Sequence, residues 1–221
     1  DLANGSSTIA QTNLLRQGTL SYSGGWWSAN LLAQSYQTLQ DPSLPRVVEP
    51  YRRLPQLTVD ANRYDLPYGL NFGFRGEHVS FRNPALVEGR RITLYPQLSL
   101  PLQTEVVSIT PKIGFHSTRY TLDRQAAGVP DKLTRNVPIF SIDSSVTFER
   151  DLDWFGAALT QTLEPRLFYV RTPFRDQSAF PVFDTGVADF NFAQLFSENT
   201  FVGSDRIADQ NQLTTAVVSR L

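Results

Sequence analysis

Between Val137 and Arg150 the chain alternates. Pro138, Phe140, Ile142, Val146 and Phe148 form one phase with Ser144, and Ser141, Asp143, Ser145, Thr147 and Glu149 form the other with Ile139. Side chains of an extended strand point to opposite faces in turn. The pattern therefore predicts a strand with one apolar and one polar face. The same period recurs at Val107, Ile109, Pro111, Ile113 and Phe115, and at Ile92, Leu94, Pro96, Leu98, Leu100 and Leu102. It returns at Leu57, Val59 and Ala61, at Leu70, Phe72 and Phe74, and at Leu159, Leu163, Leu167 and Tyr169. No stretch sustains helical spacing. About nine strands follow, at roughly 13–23, 26–39, 55–65, 68–82, 90–101, 105–121, 137–150, 155–172 and 211–221.

The connections alternate as well. SGGW, DLPYG, LQTE and RDLDW are short, while 40–54, 83–89, 122–136 and 173–210 are longer, the last by far. In an antiparallel up-and-down meander, successive connections emerge on opposite edges. One edge therefore carries tight turns and the other large loops, which is the asymmetry of an outer-membrane barrel. Lipid cannot satisfy a backbone N–H or C=O, so a spanning sheet must pair its strands and close. The strands reach the ~9–11 residues that a tilted strand needs to cross hydrocarbon. Aromatic residues stand at strand ends: Tyr22, Trp26, Trp27, Tyr36, Tyr64, Tyr68, Tyr120, Trp154 and Phe155. The expected fold class is all-β, an antiparallel meander of about nine strands from a large transmembrane β-barrel, as one incomplete barrel domain over 1–221. Pro96, Pro111, Pro138 and Pro165 resist this reading. Proline cannot donate to a ladder and usually marks edges or bulges.

Composition narrows the class. Of 221 residues, only 19% are charged and 12% are aromatic, so uncharged polar residues fill the second phase. No apolar run approaches ~18–20 residues, which excludes a transmembrane helix. The net charge of −1 gives no case for nucleic acid. With no cysteine, disulfides and thiolate metal sites within the chain are excluded. The chain lacks Met at position 1 and ends as if partway along a strand, so it reads as a piece of something longer.

Candidate chemistry is sparse. His78 and His116, the two histidines, sit on separate strands without ligand spacing. Asp151 and Asp153 flank a tight turn. Ser80 and Ser117 lie near the histidines, but no third member of a triad is evident. NGS at Asn4 fits a glycosylation sequon without weight. No catalytic residue, cofactor or metal is expected. The segment 173–210 stands apart. It is longer than a hairpin needs, and Phe174, Phe180, Phe183, Phe190, Phe192, Phe196 and Phe201 argue for order. Asp184, Asp189, Asp205, Arg175 and Arg206 are expected to pair within it. The segment is expected to pack on itself or fold into the barrel mouth.

The run TQTLEPRLFYVRTPFRDQS, then FDT, DFNFAQLF and GSDRIADQNQLTTAVVSRL, resembles the C-terminal barrel domain of the LptD (OstA, Imp) family. EPYRRLPQL at 49–57, HVSFRNP at 78–84 and FERDLDWFG at 148–156 fit in the same order. The resemblance runs from about residue 45 to the end. It implies part of a very large barrel in the outer membrane of a Gram-negative bacterium, in a translocon that inserts lipopolysaccharide into the outer leaflet. It implies as partners lipopolysaccharide, membrane lipids, an LptE-type plug lipoprotein and, through an N-terminal domain outside this chain, a periplasmic lipopolysaccharide bridge. It also singles out Arg175, Asp176, Gln177, Asp184, Asp189, Phe190, Asp205, Arg206 and Ile207 as lumen or loop residues that shape the passage.

The alternation assigns Leu94, Leu98, Ile109, Ile113, Phe140, Ile142, Val146, Leu163 and Leu167 to lipid. Thr58, Asp60, Asn62, Asn71, Arg75, Gln97, Ser108, Lys112, Asp143, Glu149, Thr160, Glu164 and Arg166 would line a wet passage. A general porin shares every alternation argument, and a soluble β-sandwich binding module remains an alternative.

Overall fold

A computed structural model describes residues 13–39, 43 and 47–221, so Asn4 and parts of the 40–54 loop lie outside the described residues. The strands are β1 (Asn13–Ser23), β2 (Trp27–Thr38), β3 (Arg52–Leu66), β4 (Leu70–Arg82), β5 (Glu88–Ser99), β6 (Leu102–Gln103) and β7 (Val107–Asp123). They continue with β8 (Lys132–Val146), β9 (Phe148–Trp154), β10 (Ala157–Thr172), β11 (Gly186–Val187), β12 (Phe201–Val202) and β13 (Gln210–Arg220).

One sheet holds all of them except the small β11–β12 pair, in the order β1-β2-β3-β4-β5-β7-β8-β10-β13. Every pairing is antiparallel and each long strand lies beside its sequence neighbour. β6 extends β5 past Leu100 and Pro101, where the Leu100 N–H donates to the Pro111 carbonyl at 3.0 Å. β9 extends β8 past Thr147, whose N–H donates to the Val106 carbonyl at 2.8 Å. Among the described residues the sheet is therefore an open up-and-down meander of nine long strands.

Some boundaries move outward from the sequence reading. β3 begins at Arg52 rather than 55, and β8 at Lys132 rather than 137. Both missed starts are polar and basic, RRL and KLTRN, and apolar periodicity does not mark such residues. β3 also shifts register between Arg53 and Gln56. This bulge sets both residues on one face and breaks the period there.

Pro111 and Pro138 need no bulge, and the pairing of β5 with β7 skips Tyr95 and Pro96 without a change of register. Register runs unbroken through Pro111, opposite Ile142, and through Pro138, opposite Phe115. Each proline forgoes only the single bond that its own N–H would have made. Tight turns close one edge at 24–26, 67–69, 104–106 and 155–156, and longer connections stand on the other. At 155–156 the two-residue turn has positive φ at both Phe155 (51°) and Gly156 (82°). That is the primed geometry that matches strand twist, and Asp153 Oδ1 accepts the Gly156 N–H at 3.1 Å.

Register separates two faces. Val79, Arg91 and Tyr120 are aligned across β4, β5 and β7 on one face, with Val137, Ile139, Phe168 and Val170 following on β8 and β10. This face is covered by the segment 173–209, which leaves β10 at the long-loop edge and returns to β13. The buried apolar cluster Val137, Ile139, Phe168, Val170 and Ile207 lies between wall and segment. The opposite face presents Leu98, Ile113 and Phe140 in adjacent strands, all exposed. Tyr120 corrects the sequence reading of strand-end aromatics. It belongs to the polar phase of β7 and is fully buried on the covered face, where it packs edge-on against Phe180 at 5.5 Å.

Candidate functional site

The covered face is polar by phase, and the segment that lies on it is acidic. Between 173 and 210 there are six acids against two arginines. An acidic strap can lie in a wet groove only if the wall supplies cations and donors. Arg91 on β5 is the principal one. Its guanidinium is fully buried and all five of its N–H groups are used. Nε and Nη2 donate to Glu77 Oε1 at 3.2 and 2.6 Å. Nη1 donates to Asp184 Oδ1 at 2.7 Å and to Asp205 Oδ1 at 2.5 Å, and Nη2 reaches Asp184 Oδ2 at 2.8 Å. The Phe81 ring lies 5.0 Å from the same guanidinium.

Asp205 is saturated in turn. Its Oδ1 also accepts the Tyr120 hydroxyl at 2.9 Å, and its Oδ2 accepts the backbone N–H groups of Phe183 and Asp184 at 2.7 and 2.8 Å. The two limbs of the segment are thus tied together at the point where both meet the wall. Burial pushes the Asp205 carboxyl up, but Arg91 and the two backbone donors outweigh it and hold the group below its ordinary value. Asp184 moves the other way. Burial and the neighbouring Asp205 charge raise it against the pull of Arg91.

Other side chains stitch the segment. Gln177 uses both ends of its amide on Ile207, accepting its N–H at 3.0 Å and donating to its carbonyl at 2.7 Å. Arg135 on β8 donates to Gln177 Oε1, to the carbonyls of Ser204 and Asp205, and to Thr118 Oγ1. Arg206 donates to the Phe180 and Pro181 carbonyls at 2.8 and 3.3 Å. Phe183 stacks on Phe81 at 4.4 Å, with Tyr51 edge-on at 4.9 Å.

The deepest point of the segment is held separately. Glu198 accepts from Tyr95 at 2.7 Å and Ser141 at 2.6 Å, and pairs with Lys112 at 2.9 Å. Phe196 lies over Arg166 at 4.0 Å, and Arg166 forms a two-pronged pair with Asp143. Beneath this tip a cavity of about 550 Å³ opens on the same face, lined by Ser108, Thr110, Asp143, Ser145 and Glu164 among others. Its hydroxyls and mixed charges suit hydrated, hydrogen-bonding matter.

The structure gathers some of the residues expected from sequence and leaves others apart. Gln177, Asp184, Asp205, Arg206 and Ile207 converge. Arg175, Asp176, Asp189 and Phe190 are exposed, and Arg175 donates to the carbonyls of Asn136 and Phe174. The expected pairing inside the segment is replaced. Asp184 and Asp205 reach Arg91 on the wall and Glu198 reaches Lys112, while Arg175 and Arg206 of the segment donate to backbone carbonyls. Leu94, Leu98, Ile109, Ile113, Phe140, Leu163 and Leu167 are exposed on the opposite face, with Ile142 and Val146 half-buried there. Sequence reasoning missed Glu77, Arg91, Tyr120, Arg135 and Glu198. The available signal was charge balance, an acidic segment beside strands whose polar phase carries Arg75, Arg91, Arg135 and Arg166.

Such a two-faced antiparallel wall, apolar and bare on one side, polar and strapped by an inward segment on the other, defines a section of an up-and-down β-barrel. A family model described as LptD: LPS transport system D matches residues 1–221, so the chain belongs to the LptD family. It is 55% identical to the LPS-assembly protein LptD of Azoarcus sp. (strain BH72), over 100% of this chain and 28% of that protein. The values are the same for the protein of that name in Aromatoleum aromaticum, and 45% identity with 24% coverage for the one in Nitrosospira multiformis. The chain thus spans less than a third of these relatives.

Proposed function

We propose that this chain forms part of the wall of an outer-membrane barrel that delivers lipopolysaccharide to the outer leaflet. The observation that carries the reading is the pair of unlike faces. The bare face is apolar on adjacent strands, as hydrocarbon requires. The other is polar, with a cavity below the segment tip and mixed charge that would pass an anionic sugar head without trapping it. The relatives' own name, LPS-assembly protein, supports the same role. In this reading Leu94, Ile113, Phe140 and Leu167 meet lipid, and Lys112, Asp143, Glu164 and Arg166 face the passage. The polar lining is also suited to an LptE-type plug lipoprotein, and a domain outside this chain would meet the periplasmic lipopolysaccharide bridge.

The test is depletion of the full-length protein in its own bacterium, with complementation by the wild-type gene. The expected result is outer-membrane fractionation of the protein, with lipopolysaccharide lost from the cell surface on depletion. A purified barrel that conducts ions freely while surface lipopolysaccharide is unchanged would indicate a porin. Recovery without detergent would indicate a soluble module.

A further inference from the structure

The bare face has two different ends. At the tight-turn edge it carries the exposed ring of Tyr22, and the exposed rings Tyr68 and Phe155 stand in the turns beside it. At the long-loop edge it carries bases. Following this face upward, Ile92 gives way to Arg90 on β5, Phe115 to Ser117 and then Arg119 on β7, and Tyr169 to Arg171 on β10. On β8 the row Phe140, Pro138, Asn136 and Thr134 ends at Lys132.

Three of these bases cluster. Thr121 stands opposite Arg90 on one side and Lys132 on the other, and Arg119 lies two residues below it on the same face. Diagonal neighbours of this kind sit ~7–8 Å apart at the backbone, within reach of one ligand for long side chains. All three bases are exposed, and none forms an ion pair among the described residues. The acids nearby are engaged or displaced. Glu88 is bound by Arg82 and Arg124, and Asp123 lies 4.0 Å from Arg82. Asp131 precedes β8 in the loop.

The height fits a headgroup. From Ile109 to Arg119 the strand climbs ~33 Å, or ~25 Å along the normal at ~40° tilt, which is the thickness of the apolar band of such barrels. We propose that Arg90, Arg119 and Lys132 form a docking surface for the phosphate groups of lipid headgroups in the leaflet on the long-loop side. Three unpaired cations above an apolar band complement an anionic headgroup whose acyl chains cover Ile92, Leu94 and Ile113. The inference rests on the membrane reading above and adds the ligand chemistry.

The test uses the full-length protein in nanodiscs made with lipopolysaccharide or with the same lipid stripped of its phosphates. Phosphorylated lipid retained per barrel after detergent challenge is counted by native mass spectrometry. The wild type should retain phosphorylated lipid over the stripped form. The Arg90→Gln, Arg119→Gln, Lys132→Gln triple variant should lose about a hundredfold of that preference, and Arg63→Gln near the tight-turn edge should lose none. If the triple variant does not fold, Arg119→Gln alone should give a smaller loss. Equal retention by wild type and the Arg119→Gln or triple variant overturns the docking surface while leaving the membrane reading intact. Failure of the wild type to enter nanodiscs overturns both.

Discussion

The Arg91 guanidinium and the Asp205 carboxylate meet at 2.5 Å with neither group exposed, although 114 positions separate them in the chain. A buried pair of this kind is weak as a source of net stability, because desolvation offsets its attraction. Removing one partner is costly, because the other charge stays buried. The pair therefore acts as a latch that makes one placement of the segment far better than any other.

Arg91→Met should accordingly release the segment while leaving the strands paired. Glu77, Asp184 and Asp205 would lose their shared cation, at a cost of about 3–5 kcal/mol. The check is a fluorescent label at Phe190→Cys, a position 83% exposed in a chain without cysteine. Its anisotropy should fall in the Arg91→Met background, while the heat-modifiable gel shift of the folded barrel persists. Unchanged anisotropy would remove the latch from the account.

The two carboxylates give that latch a two-sided pH response. Asp205 is held below its ordinary value, so its contribution is present above the ordinary carboxylate range and fades as pH falls through its lower folded value. Asp184 is raised, so its contribution is complete below that range and fades as pH rises through its higher folded value. Segment order, followed by the same label, should peak in mild acid and decline on both sides. Asp184→Asn should abolish the decline on the alkaline side and leave the acid limb, and a response unaltered by that substitution contradicts the assignment.

The wall was legible in the sequence because a strand's period is local. Ile109, Ile113 and Phe115 declare their face by spacing alone, and the length of 173–209 declared it special. The latch was not legible. Arg91 sits on the same polar phase as Thr93 and Gln97, and nothing within a few residues says that it faces Asp184 and Asp205. Tyr120 shows the same limit from the other side. As an aromatic near a strand end it resembled an interface ring, and only its even phase with His116 and Thr118 placed it inward. Long-range pairing depends on how the segment folds back, and alternation carries no information about that.

The bare face can be tested at its middle. Ile113 is 58% exposed there, between Leu98 and Phe140 on the flanking strands. Ile113→Arg should cost about 2–4 kcal/mol if the site lies at mid-bilayer, seen as loss of the folded band and of assembled protein in the outer-membrane fraction. Thr110→Arg, on the opposite face beside the cavity, should be tolerated. Equal tolerance of both substitutions would mean that the two faces do not meet different media.

Gly203 tests how tightly the returning limb must turn. Its φ is +77°, a region that residues with a side chain enter only with strain. A Cβ built there would stand 2.6 Å from the Asp184 carbonyl and 2.9 Å from Asp184 Oδ1 and Thr185 Oγ1. The side-chain atoms could rotate away only by giving up the bonds from Arg91 to Asp184 and from the Asp205 N–H to Thr185. The backbone carbonyl could move only by turning the peptide between Asp184 and Thr185, whose side chains both bond within the latch. Gly203→Ala should therefore loosen the segment nearly as much as Arg91→Met, through geometry and without any change of charge. Combining the two substitutions should add little to either alone, since both open the same latch. Full additivity in the Phe190→Cys anisotropy would show that the turn and the ion cluster hold the segment independently.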